Sequence, residues 1–208
     1  MRKYIVEFIG TFFLVLTILM VCNNGTVKGF EPIAIGFALM AMIFAGGHIS
    51  GAHYNPAVTL AMLIRKNISL NDGLAYVLAQ FLASIFAAFT AKSLLGAVSS
   101  GPRLEPAMAV TAEFLGTFAL VFVIFNVATA AANKGNSFYG FAIGATVMAM
   151  AYALGPVSGG AFNPAVAVGL SVAGAFDWAN LWIYLVGTLA GAGVAAILYS
   201  YLTADVNE

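Results

Sequence analysis

Two copies of one tripeptide, Asn55-Pro56-Ala57 and Asn163-Pro164-Ala165, hold the residues best suited to chemistry in this 208-residue chain. Asn is a favoured N-cap and Pro fits the first helical position, so each tripeptide opens a helix. A single copy would be structural punctuation. Two copies at matching positions offer more: side-chain amides that donate hydrogen bonds, set at helix N-termini that each carry about half a positive charge. Facing one another, such ends would grip the oxygen of a small neutral molecule and repel cations. A water held by two donors could not also pass protons along one continuous wire.

Glu7 and Glu113 are the other candidates, because each sits one turn inside a long apolar stretch, and ionisable residues at such depth are functional by default. A proton relay through them would make the chain a coupled secondary transporter. The competing reading, which we favour, is that each carboxylate accepts hydrogen bonds from backbone donors of a re-entrant loop. The pair repeats symmetrically, and no Lys or Arg partner for it lies in any span. His48 could act as a pH switch, but its repeat partner is Pro156, so we read it as a packed, hydrogen-bonded loop histidine supporting the same structure. His53, two residues before Asn55, faces the pore or its mouth. A convergent nucleophile and base, or a metal-ligand cluster, is not found, so an enzyme is not expected, nor a cofactor. Net charge is zero without a basic run, which argues against nucleic acid.

The elements that must position these residues are membrane spans. The chain is 62% hydrophobic and 8% charged, against about 25% charged for a soluble domain. Charge-poor stretches of spanning length lie at about 4–23, 32–48, 72–95, 107–131, 137–155 and 179–202. The N-terminus, Met1-Arg2-Lys3, lacks a following small-x-small cleavage site and reads as a retained first span. Two further apolar stretches, 49–65 and 157–173, each hold a Gly-rich turn and then a proline. Asn55 to Arg65 would make roughly 16 Å of helix, half of a hydrocarbon core of roughly 30 Å. These are half-spans that enter and leave on one side, and non-helical backbone at that depth implies a water-filled cavity or surrounding protein. Arg2, Lys3, Arg65, Lys66 and Lys134 fall on the side of the termini and Lys28, Lys92 and Arg103 on the other, which points to cytoplasmic termini. Cys22, the sole cysteine, ends the first span, away from both half-spans.

The chain repeats itself. Glu7-Phe8-Ile9-Gly10-Thr11-Phe12 recurs as Glu113-Phe114-Leu115-Gly116-Thr117-Phe118, and Ala34-Ile35-Gly36 as Ala142-Ile143-Gly144. The Asn-Pro-Ala motifs share the later offset, 55 to 163, as do Tyr76 and Tyr184. Three spans per half is an odd number, so the second half (about 106–208) enters the membrane inverted relative to the first (about 1–100). Such folds set their solute site at the midplane, where broken helices meet. The expectation is one all-α membrane domain, 1–208, with six transmembrane helices and two re-entrant half-helices.

The paired Asn-Pro-Ala motifs, the doubled Glu-Phe-x-Gly-Thr-Phe and Gly47-His48-Ile49-Ser50-Gly51-Ala52-His53 together resemble the aquaporins of the major intrinsic protein family over nearly the whole chain. That resemblance implies a passive channel for water, and for small uncharged solutes such as glycerol, urea, ammonia or hydrogen peroxide, in a multi-pass protein of the cell membrane. It also implies a homotetramer with a pore in each subunit. Where most aquaporins carry Arg after the second motif, this chain has Val166; Ala167 replaces the Asp of the glycerol-channel branch. Resemblance and spacing put the remaining filter members at Ile35, Ala151 and Gly160. Without Arg, His or an aromatic residue, such a filter should be wide and apolar on one wall, with backbone carbonyls of about 157–161 on the other.

Overall fold

Stretches this apolar satisfy their backbone in a membrane only as helices, and every regular element among the described residues is helical. The computed structural model describes residues 1–23, 25, 27–101 and 103–204; the expected end of the second repeat, 205–208, lies outside them. The elements are α1 (Arg2–Asn23), α2 (Glu31–Ser50), α3 (Pro56–Ile64), α4 (Leu70–Leu95), α5 (Pro106–Ile124), α6 (Tyr139–Ser158), α7 (Pro164–Ala173) and α8 (Leu181–Leu202). Six are long and apolar enough to cross a membrane, and α3 and α7 are the two short helices.

The fourth expected span, 107–131, changes character before its end. Phe125–Thr129 forms a π turn, and Ala130 is extended. Asn126 Nδ2 donates to Phe122 O and Thr129 Oγ1 to Phe125 O, both four residues back. Polar side chains that bond to the preceding turn compete with regular helix hydrogen bonding.

Each half-helix packs chiefly against the last span of the opposite half, α3 on α8 and α7 on α4. At the end of α3 the Arg65 guanidinium lies 4.6 Å over the Tyr199 ring and 5.4 Å over the Phe125 ring, and donates to Ser200 Oγ at 2.8 Å. At the starts of α1 and α4, Lys3 pairs with Asp72 at 2.6 Å. All these groups belong to the side expected to carry the termini.

The halves meet where α2 crosses α6. A Cβ on Gly36 would stand 2.7 Å from Gly144 O, so only glycine lets the two backbones approach this closely. Gly10 and Gly116 make the corresponding room for the rings of Tyr54 and Phe162. Gly193 behaves differently: the nearest atom to a Cβ there is 3.9 Å away, so close packing does not require this glycine.

Candidate functional site

The two Asn-Pro-Ala starts meet. Asn55 takes an extended conformation, and its Oδ1 accepts from Ala57 N at 2.8 Å, capping α3. Asn163 caps α7 in the same way through Ala165 N at 2.9 Å. The amide nitrogens then cross between halves: Asn55 Nδ2 donates to Phe162 O, and Asn163 Nδ2 donates to Tyr54 O, both at 2.9 Å. A carboxamide has two N–H donors, so each Asn commits one to the opposite loop and keeps one. Both residues line the central cavity.

The loops before the motifs are bent inward by residues in left-handed conformation: Ala52, Tyr54 and Phe162 at φ 52, 49 and 48, with Gly160 at φ 65. Such backbone is strained for non-glycine residues and persists only when its surroundings impose it. The carboxylates impose it here. Glu7 Oε1 accepts from Ser50 Oγ (2.7 Å) and His53 N (2.9 Å), and Oε2 from Tyr54 N (2.7 Å). Glu113 Oε1 accepts from Ser158 Oγ (2.7 Å) and Ala161 N (3.0 Å), and Oε2 from Phe162 N (2.6 Å). Tyr76 and Tyr184 donate to the Ser50 and Ser158 carbonyls at 2.6 and 2.7 Å. Both carboxylates are wholly buried, and neither lines the cavity, which leaves a proton relay along the lumen without its relay group.

The cavity has a volume of about 970 Å³ and runs from Cys22 and Glu31 at one end to Asn67 and Lys134 at the other. Ile35, Ala151, Gly160 and Val166 all line it, with Gly159 and Ala161 beside Gly160. Val166 is only 2% exposed, so it offers the lumen an edge rather than a face.

Two residues stand elsewhere than expected. His48 is not a packed loop histidine. The helix α2 continues to Ser50, which puts His48 in its last turn, exposed at the cavity and without a hydrogen-bond partner among the described residues. The buried, bonded histidine is His53, whose Nδ1 lies 3.1 Å from Thr59 Oγ1. Cys22 is not remote from the pore either, because the end of α1 leans over one mouth and the side chain lines it.

Gln80 was missed altogether. Its Nε2 donates to Glu7 Oε2 (2.9 Å) and lies 3.2 Å from Thr59 Oγ1, joining Glu7, Gln80, Thr59 and His53 in one polar cluster. An amide within an apolar span was the available signal. The second half lacks this cluster, having Ala161, Ala167 and Thr188 at the matching positions.

Six spans, two facing half-helices and a lumen lined at its centre by two amides define a membrane channel of the aquaporin type. The sequence profile of the major intrinsic protein family matches residues 1–199, and the chain belongs to that family, whose members are channels and not enzymes. It is 36% identical to a glycerol uptake facilitator protein-like protein of Lactiplantibacillus plantarum, over 94% of this chain and 95% of that one. It is 35% identical to aquaporin AqpM of Methanothermobacter thermautotrophicus, over 98% of each. In fold it is similar to an aquaglyceroporin from Plasmodium falciparum, with a TM-score of 0.84 at 22% identity, covering 99% of this chain and 97% of that one.

Proposed function

We propose that residues 1–208 form one channel domain of two repeats, about 1–100 and 106–208, that conducts water and small uncharged solutes passively and excludes protons and ions. The observation that carries this reading is the continuous cavity with two amides at its centre. Asn55 and Asn163 each keep one N–H for the oxygen of the passing molecule. The N-termini of α3 and α7 add positive potential on either side, which disfavours cations. Glu7 and Glu113 hold the loops, and His48 lies at the mouth rather than in that support. Ile35, Ala151, Gly160 and Val166 form a filter toward the end of the lumen remote from the termini, the far side. None of the four has a side-chain donor, so glycerol and urea are expected to pass as well as water. The resemblance to a glycerol facilitator-like protein supports this range.

The chain is further proposed to sit in the cell membrane with cytoplasmic termini and to assemble as a homotetramer. The basic residues on the side of the termini support the orientation, and family resemblance supports the assembly. Stopped-flow light scattering on proteoliposomes, with water, glycerol and urea in turn, tests the function. Passive flux of low activation barrier, independent of ion gradients, is expected. Flux that requires a proton or sodium gradient would point to a transporter instead.

A further inference from the structure

Two helices line the cavity with stripes of four-residue spacing: α2 with Ile35, Leu39, Ile43 and Gly47, and α6 with Ile143, Val147, Ala151 and Gly155. Ser50, at the end of α2, bonds to Glu7 near the start of α1, while Ser158, at the end of α6, bonds to Glu113 near the start of α5. The two stripes therefore run in opposite directions. Late residues of α2 and early residues of α6 lie toward the N-terminal side of the molecule, here called the near side.

The repeat pairs every member of the far-side filter with a near-side residue at one sequence offset: 35 with 143, 166 with 58, 151 with 43, and 160 with 52. The near-side residues also line the cavity, so the lumen has two rings in series. Two pairs match in type, Ile35 with Ile143 and Val166 with Val58. The other two do not, and both differ in the same sense: Ile43 stands where the far ring has Ala151, and Ala52 where it has Gly160. His53 adds a further bulky group, its counterpart being Ala161. Accessibility runs the same way at two of the four pairs: Ile43 and Ile143 are 3% and 5% exposed where Ala151 and Ile35 are partly exposed, while Val58 and Val166 are both 2% exposed and Ala52 and Gly160 both partly exposed.

A solute crossing two rings in series is limited by the tighter one. We infer that the near-side ring, built on Ile43 and Ile143 beside His53, sets the size limit of this channel, and that the far-side filter does not. The inference rests on the channel reading above and adds to it the place where solutes are sorted.

The test compares wild type with Ile43→Ala, Ile43→Val and Ala151→Val in proteoliposomes, measuring water and glycerol permeability on the same vesicles. A methylene more or less at an apolar constriction shifts discrimination by about tenfold or more, so Ile43→Ala, which removes three carbons, should raise the glycerol-to-water ratio by well over that factor. Ile43→Val should raise it by less, and it carries the test if the Ala variant fails to assemble. An unchanged ratio in the Ile43 variants, with water flux retained, would overturn the assignment. So would a fall in Ala151→Val larger than the rise in Ile43→Ala. Wild-type vesicles no more permeable to either solute than protein-free ones would instead overturn the channel reading itself.

Discussion

The Asn163 side chain does three things at once: Oδ1 caps α7, one N–H holds the Tyr54 carbonyl, and the other N–H remains for the lumen. Asp at this position keeps the cap, removes both donors and sets a carboxylate oxygen against a carbonyl. Asn163→Asp and Asn55→Asp are each expected to lose water flux or to admit cations, read by stopped-flow scattering and a pH-sensitive dye trapped in the vesicles. Normal flux with full ion exclusion in both would remove these residues from the mechanism. Cys22 leads to a second expectation. Because it lines a mouth, a mercurial should slow water flux, and Cys22→Ser should abolish the effect; equal sensitivity in both proteins would mean the reagent acts elsewhere. The sequence marked Cys22 as remote because span order does not tell which helix ends lean over the lumen. His48 was misassigned for a related reason, whereas His53 lines the cavity as expected. Which side of a helix end a ring takes depends on where α2 stops, and it continues through His48 to Ser50.

At the scale of elements, the crossing of α2 and α6 is a contact with little tolerance of change. Gly36 and Gly144 each bring backbone against backbone there. A Val at Gly144 has nowhere to go except into Gly36 O and Met40, and overpacking of this kind costs about 1–3 kcal/mol or more. Gly144→Val is expected to lower the unfolding temperature in detergent by several degrees. Gly193→Ala, at ordinary packing distance, should not. Equal shifts would show that the crossing has slack. The helices themselves were legible, since scarcity of charge marks the spans and Asn-Pro marks both half-helix starts, and these are local signals. The π turn at Phe125–Thr129 was not, because its side-chain bonds to the preceding turn leave no trace in apolar periodicity.

For the whole molecule, Val166→Arg tests whether the outer end of the lumen can be made selective. Arg would add length, donors and a charge where Val offers an edge. Glycerol and urea flux should fall more than water flux, since added bulk matters most to the larger solute. A charge near the membrane interior is costly without partners, so assembly must first be checked by gel filtration. Unchanged selectivity in a correctly assembled variant would show that this end of the lumen does not limit passage even when filled. The general plan of inverted halves was readable from the repeat, but the bonds that cross between halves were not, because they join residues more than 100 positions apart. Those bonds bear on biosynthesis. When only the first repeat has left the ribosome, the Asn55 amide and the Tyr54 carbonyl await partners not yet made, in a medium where an unsatisfied polar group costs several kcal/mol. The first re-entrant segment should therefore stay outside the bilayer core until the second repeat arrives. With Cys22→Ser as background, a cysteine at Ala57 should react with a water-soluble maleimide in a chain stopped at residue 100 and be shielded in the full chain. Equal shielding in both would mean that the first half closes unaided.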